Sequence, residues 1–292
     1  MARYDKKTKM IVIDDTVGDA DWPKCTNLGA RRSIAGWEQT GKQGGSNPGG
    51  VFTSPDGTPY YVKGSKTPLH AQNEALAAEL YAMAGVTVPE VQIVDLAGKF
   101  GDRTIGVASK MVDGEANLPE RYSDPAYADA IGKDMAVDAW LANWDTVGNS
   151  KDNIIEVGGK PHRVDVGGSL LFRAQGEPKG DDFGPKATEV DSLRDPGVNR
   201  DAADVFGMRV PDASDPVFLD GARRVAALDP AAIEQAVRRT ITDYDTADLV
   251  VDRLLSRQAD IAQMVEVDIF DDLVRTPADA KEYEQPSAPP FF

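Results

Sequence analysis

The sequence predicts an α+β protein of two lobes: a small mixed β/α N-lobe over residues 30–113 and a larger, mainly helical C-lobe over 114–270. Three observations carry that prediction. With 292 residues and 41% hydrophobic content, the chain can bury a core for one large domain or for two lobes sharing a cleft. Residues 51–112 read as strands and turns around one helix. After 114, apolar positions recur mostly at helical spacing. Residues 1–29 stand apart as an N-terminal extension, and 271–292, which closes on the Pro-rich KEYEQPSAPPFF, reads as a flexible tail.

Taken in order, TKMIVI at 8–13 has strand composition, and 16–50 is rich in Gly, Asp, Asn and Pro, so the opening is loops around short strands. Val51-Phe52 and Tyr60-Tyr61-Val62-Lys63 flank Pro-Asp-Gly-Thr at 55–58, a hairpin signal because Asp-Gly between β-formers favours a tight turn. HAQNEALAAELYAMA at 70–84 spaces Ala, Leu and Glu as a helix does, and Gly85 supplies its C-terminal stop. Strands follow at about 90–96 and 104–112 around a Gly-Lys-Phe-Gly-Asp turn. The C-lobe begins with a helix over 125–143 expected to bury Trp140, Leu141 and Trp144, then a loop at 145–152 and strands at 153–157 and 162–166. The Gly/Pro/Asp-rich stretch 174–215 exceeds an ordinary connection and reads as a functional or mobile loop. Helices resume at 217–228, 230–242 and 246–264, the second announced by the cap and first-turn proline Asp229-Pro230.

Charge and composition exclude several functions. A net charge of −16 repels phosphate polyanions, which argues against broad nucleic-acid or anionic-membrane binding. No run of about 20 apolar residues exists to insert into a membrane, and MARYDKKTKMIVIDD has a four-residue apolar core, too short for a signal peptide, so a soluble cytoplasmic protein is expected. One cysteine, Cys25, rules out an internal disulfide and, with two histidines, disfavours a Cys/His zinc site.

The residues able to carry chemistry fall in a definite order. GKQGGSNPGG at 41–50 would let backbone amides, among them those of Gly45, Ser46 and Asn47, approach phosphate oxygens, though a surface loop has the same composition. Gly36-Trp-Glu-Gln-Thr-Gly41-Lys42 has the spacing of a P-loop but carries Gln43 where a Ser or Thr belongs, and no strong strand precedes it. Lys63 at a strand end and Glu74 on the next helix can together hold a phosphate, the carboxylate keeping the ammonium charged and aimed; Glu79 competes for that pairing role. Asp145 opens a loop after a helix, Asn153 begins an apolar strand, and Asp165 sits in Val-Asp-Val-Gly-Gly. Mg²⁺ takes one or two protein carboxylates with phosphates and water, so Asp165 with Asn153 suffices as a ligand set, leaving Asp145 free to accept a proton. Singly, each of these Asx residues could as well cap a turn; their joint order after Lys63 and Glu74 favours a phosphotransferase.

GGSNPGG (44–50), YYVK (60–63), NEALAAELYAMAGVTVPE (73–90), DAWLANWDTVGNSKDNIIEV (138–157) and RVDVGGSLLFRAQG (163–176) together resemble the atypical kinases that group HipA-type toxin kinases with phosphatidylinositol 3/4-kinases and related bacterial and phage proteins. The resemblance spans about residues 40–265 and implies a protein-kinase-like fold using ATP and Mg²⁺. It implies Lys63 on the nucleotide phosphates, Glu74 as its partner and Asp145 as base, with Asn153 and Asp165 as metal ligands and the 109–113 strand end, Met111 and Val112 included, as the adenine hinge. The spacing from Asp145 to Asn153 exceeds the roughly five positions of kinase catalytic loops, and neither His-Arg-Asp nor Asp-Phe-Gly is present. The expected reaction is γ-phosphoryl transfer to a hydroxyl, with protein Ser/Thr as acceptor. The alternatives are a non-catalytic, even virion-associated, scaffold, a lipid or small-molecule kinase, and an AMP transferase.

His70 and His162 read as structural, no Ser or Cys nucleophile motif accompanying them. Lys151 could neutralise a transferring phosphoryl or simply be exposed, and the pairs Asp14-Asp15, Asp181-Asp182 and Asp271-Asp272 read as solvated faces.

Overall fold

The computed structural model describes residues 2–5, 10–13, 31–44, 47–116, 121–148, 151–207 and 209–275. Gly45, Ser46, Cys25, Asp14-Asp15 and most of the expected N-terminal extension and tail lie outside the described residues. Strands β1 (Ala2–Asp5) and β2 (Met10–Ile13) form an antiparallel pair. The N-lobe sheet is built from β3 (Arg32–Ser33), β4 (Glu38–Gln39), β5 (Gly49–Thr53), β6 (Pro59–Gly64), β7 (Val91–Phe100) and β8 (Arg103–Lys110), in the order β3-β7-β8-β6-β5-β4. Only β3 and β7 run parallel; the other pairings are antiparallel, as short turns require. β4 lies where a P-loop reading would need a loop leading into a helix, which removes that reading for 36–42.

Helix α1 (Pro68–Met83) crosses between β6 and β7. It starts two residues earlier than composition suggests, because the Thr67 side chain accepts from the His70 amide and Pro68 occupies the first turn. Gly85, at φ +76°, ends it as expected. One face of the sheet closes over Ile34, Trp37, Phe52, Tyr60, Val62 and Leu96. Leu76, Leu80 and Tyr81 of α1 join a larger core that runs through the C-lobe, so this helix is held by both lobes.

β9 (Glu115–Ala116) follows the 111–114 connection and pairs with β10 (Ile154–Val157), which pairs with β11 (Lys160–Arg163). The expected second strand shifts from 162–166 to 160–163, because Gly158-Gly159, both at positive φ, make a two-residue hairpin turn; Asp165 therefore lies beyond the strand in a loop. The single helix expected over 125–143 is two, α2 (Pro125–Gly132) and α3 (Met135–Trp140). At the break the Lys133 carbonyl meets Gly221 so closely that a Cβ there would stand 2.0 Å from the oxygen. Trp144 is 37% exposed, not buried as expected.

The 174–215 stretch is not a bare loop. It contains α4 (Glu189–Ser192) and α5 (Arg200–Phe206) and buries Phe183, Val190, Leu193 and Phe206 in the main core. Helices α6 (Pro216–Ala226), α7 (Pro230–Thr240) and α8 (Tyr244–Arg275) complete the C-lobe, the first two opened by Asp caps before proline. Among the described residues no helix is long and apolar enough to cross a membrane.

Candidate active site

A cavity of about 540 Å³ lies in the cleft, lined among others by Asn47, Tyr61, Lys63, His70, Glu74, Met111, Val112, Asp145, Asn153 and Asp165. Each of the proposed site residues that the structure describes therefore faces one space. Lys63 stands on β6 opposite Gly49 and Val107. The glycine segment packs directly over this strand: the Gly44 amide donates to the Tyr61 hydroxyl at 2.9 Å, and a Cβ at Gly49 would stand 2.8 Å from the Val62 carbonyl. Glycine is needed there for close approach of backbone to backbone.

The Lys63 ammonium bridges two carboxylates, Glu74 Oε1 at 3.0 Å and Asp165 Oδ2 at 2.9 Å. Burial opposes its charge, but the two carboxylates outweigh burial and hold the lysine above its usual range. Glu74, only 6% exposed, is pushed up by burial despite Lys63. Asp165 goes the other way: burial is overcome by the Lys63 charge and hydrogen bond and by the Gly167 amide, and its carboxyl is held below the usual carboxylate range. Glu79 plays no part here; it pairs with Arg239 of α7.

Asp145 is reached through a strained turn. Ala142 sits at φ 54°, the Asn143 side chain accepts from the Asp145 amide at 3.1 Å, and Thr146 donates to the Asn143 carbonyl at 2.9 Å. The long 145–153 connection does not displace Asp145 from Asn153. Gly148 and Lys151 take positive φ, the Asn153 amide donates to Val147 O at 3.2 Å, and the Asn153 side chain returns to Asp145, with Nδ2 2.6 Å from its carbonyl and 3.3 Å from Oδ2. Burial first, and the Asp165 charge second, push the Asp145 carboxyl up to about 6.

The donor set suits Mg²⁺ with a nucleotide. All candidate ligands are hard oxygens, and Asn153 uses its amide nitrogen on Asp145, which leaves its carbonyl oxygen as an acceptor. The mutual repulsion that raises Asp145 beside Asp165 is what a bound divalent cation relieves. No cluster of three or more His, Cys, Asp or Glu exists among the described residues, so a cation held by Asp165 and Asn153 would leave positions open to water or ligand oxygens.

Three supporting groups escaped the sequence reading. Asn73, fully buried on α1, donates to Ser169 O and accepts from the Leu171 amide, each at 3.0 Å, tying Glu74's helix to the segment after Asp165. Its signal was an asparagine inside a helix, where it is a poor former. Asp138 receives the Tyr81 hydroxyl at 2.8 Å and Arg163 at 2.8 and 3.2 Å, and Asn143 donates to Tyr81 at 3.0 Å, so a buried chain runs from β11 to the Asp145 turn. Lys179 donates to the Ala142 and Gly168 carbonyls and gave no signal. His162 has its Nδ1 3.2 Å from Lys160 O, and Lys151 pairs with Asp204 at 3.3 Å, away from the cleft. Asp181 and Asp182 are exposed, as expected of a solvated face, and Asp182 pairs there with Arg173.

No protein-family model matches the sequence, and no curated protein does. Among solved structures the fold is similar to that of the Helicobacter pylori proinflammatory kinase CtkA, with a TM-score of 0.56 at 15% identity, covering 82% of this chain and 99% of that one. A more distant likeness is to HipA of the Shewanella oneidensis toxin–antitoxin complex with HipB and operator DNA, with a TM-score of 0.35 at 14% identity over 81% of this chain and 69% of that one. The α+β architecture is thus that of the two-lobed kinases.

Proposed function

We propose that this chain transfers the γ-phosphoryl group of Mg²⁺-ATP to a hydroxyl, with protein Ser or Thr as the acceptor class. The observation that carries the reading is Lys63 bridging Glu74 and Asp165 across a cavity that also holds the Asp145–Asn153 pair. Lys63 binds phosphate oxygens, and Glu74 keeps it aimed. Asp165 and the Asn153 carbonyl oxygen hold the metal. Met111 and Val112, just past the end of β8, border the adenine side, and Gly44 and Asn47 line the same cavity on the side assigned to the phosphates. When bound, Mg²⁺-ATP supplies the electrophilic phosphorus and the cation that neutralises its oxygens. Asp145 takes the proton of the attacking hydroxyl as the new P–O bond forms and ADP leaves. Burial, the first cause of the raised Asp145 carboxyl, does not depend on the cation and makes it a better proton acceptor than an ordinary aspartate. The placement among HipA-type and phosphatidylinositol 3/4-like kinases rests on the motif resemblance.

The experiment is thermal melting with and without millimolar Mg²⁺-ATP, paired with transfer from labelled ATP. A ligand that binds only the native state raises the midpoint. Wild type rises; Asp165→Ala still melts cooperatively and loses the rise; Asp145→Ala keeps the rise and loses transfer. Absence of any rise in wild type refutes the reading in favour of a scaffold.

A further inference from the structure

We propose that Lys179 is a positioning residue that clamps the Asp145 turn to the Asp165 loop through two backbone carbonyls. Its consequence for turnover rests on the phosphotransferase reading; the clamp itself does not. Lys179 is 6% exposed, and its ammonium nitrogen donates to Ala142 O, three residues before Asp145, and to Gly168 O, three residues after Asp165, the latter at 2.7 Å. No carboxylate pairs with it among the described residues; the acidic groups that act on it, Glu189 first and then Asp182, are themselves paired with Arg257 and Arg173. A lysine buried against carbonyls alone is a costly arrangement for stability, since burying an uncompensated cation is unfavourable. Its position must therefore contribute something other than packing.

What it joins is under strain. Ala142 and Leu170 both hold positive φ without being glycine, at 54° and 55°, and the Leu170 amide donates to Leu141 O at 2.7 Å. Such conformations persist only where surrounding contacts over-determine them. Between the two loops the fit is tight: a Cβ on Gly168 would stand 3.2 Å from the Asp145 Cβ and 3.3 Å from Asn143 Oδ1. The chain returns to this point because Arg173 and Glu177 close a turn and the Lys179 amide donates to Leu171 O at 2.8 Å. Lys179 thus fixes the separation of Asp145 and Asp165 through the carbonyls of Ala142 and Gly168, with no hydrogen bond from its ammonium to either carboxylate. Burial pushes its pKa down to about 7, yet an amine in either protonation state retains the two N–H donors that the two carbonyls require.

Lys179 also lines a second cavity of about 310 Å³ that shares Asp145 with the cleft, which makes chemical rescue feasible. The test uses Lys179→Ala and, to preserve apolar length and folding, Lys179→Met. Backbone hydrogen exchange is followed at 141–145 and 165–171, and transfer from labelled ATP is measured with and without n-propylamine, the fragment deleted in the alanine variant. Salt of equal ionic strength and 1-propanol, which has a single donor, serve as controls. Expected are exchange in both segments roughly tenfold faster with α6–α8 unchanged, kcat down roughly 100-fold with KM for ATP unchanged, and recovery of both with propylamine in Lys179→Ala only. Unchanged exchange overturns the clamp. Faster exchange with unaltered kcat, or loss that propylamine does not repair, reduces Lys179 to a stabilising residue and overturns the positioning role. If wild type neither binds nor turns over ATP, the phosphotransferase reading falls, and exchange still decides the clamp.

Discussion

Tyr81→Phe removes one oxygen atom from the buried chain behind Asp145 and changes nothing else in shape. The hydroxyl donates to Asp138 at 2.8 Å and accepts from Asn143 at 3.0 Å, and all three residues are fully buried. Burial and the Asp138 charge hold the phenol well above its usual pKa, so it is a donor at any working pH. Its loss costs Asp138 one of three charge-assisted hydrogen bonds, Arg163 retaining the others. It also leaves an Asn143 N–H buried without a partner, a penalty of about 1–3 kcal/mol. Together these give roughly 2–4 kcal/mol, since contributions within one network are not additive. Urea unfolding reads this as a lower midpoint at unchanged slope. Tyr244→Phe, at an 81% exposed position, should stay within about 0.5 kcal/mol. Because Asn143 also accepts from the Asp145 amide, kcat falls along with stability. A loss under about 1 kcal/mol, or Tyr81→Phe and Asn143→Ala adding independently in a double-mutant cycle, refutes the chain as a connected unit.

Other outcomes follow from the same geometry. Glu74→Gln lowers kcat about tenfold or more by releasing Lys63, whereas Glu79→Ala, which breaks a partly exposed pair with Arg239, shifts stability by at most about 1 kcal/mol and leaves kinetics unaltered; the reverse pattern reassigns the pair. Gly221→Ala places a Cβ 2.0 Å from Lys133 O and costs about 3 kcal/mol or more, read as a fall in melting temperature and soluble yield; a variant melting like wild type means that the α2–α3 break is not set by this contact. His70 is 7% exposed with Nδ1 buried and unpartnered, and burial, then Lys63, lower its pKa from 6.5 to about 4. Below pH 6.5 the unfolded chain binds the proton that the native one refuses, so stability falls as pH drops from 6.5 towards 4. That limb is worth about 3 kcal/mol, and it should vanish from the pH dependence of unfolding in His70→Phe, where the ring contact with Phe172 is kept.

How much of this was legible follows from which interactions are local. Strand alternation, the Asp-Gly turn and the Thr67-Pro68 start are encoded within a few residues, and the N-lobe hairpin and α1 came out close to expectation. The break between α2 and α3 did not, because its cause is a glycine nearly ninety positions away whose missing Cβ admits the Lys133 carbonyl. The 174–215 stretch misled for a related reason: its Gly, Pro and Asp content signals loop, while Phe183, Leu193 and Phe206 are buried against helices from elsewhere in the chain. At the site, the types and order of Lys63, Glu74, Asp145, Asn153 and Asp165 were enough to group them. The length of the 145–153 loop set Asp145 far from Asn153 in sequence, yet the Asn153 side chain hydrogen-bonds to it, a contact that spacing alone does not reveal. Lys179 could not have been foreseen, since its partners are backbone carbonyls, and a carbonyl has no residue type.

Asp145 and Asp165 begin with the same carboxyl chemistry, and the fold separates them with one lysine. Both lose part of their hydration, which raises a carboxyl, but only Asp165 receives the Lys63 ammonium at 2.9 Å. It stays ionised, which the metal-ligand role proposed for it requires, and its charge is in turn the second cause of Asp145's rise. The side chain proposed to bind phosphate therefore also distributes the protonation states, and Glu74, by holding that lysine, acts on both carboxyls without touching Asp145. The anchoring of α1 from both lobes, with Asn73 fixed to the backbone after Asp165, bears on this directly: a small rotation of the helix would move the lysine, and with it the difference between the carboxyl proposed to hold a cation and the one proposed to accept a proton.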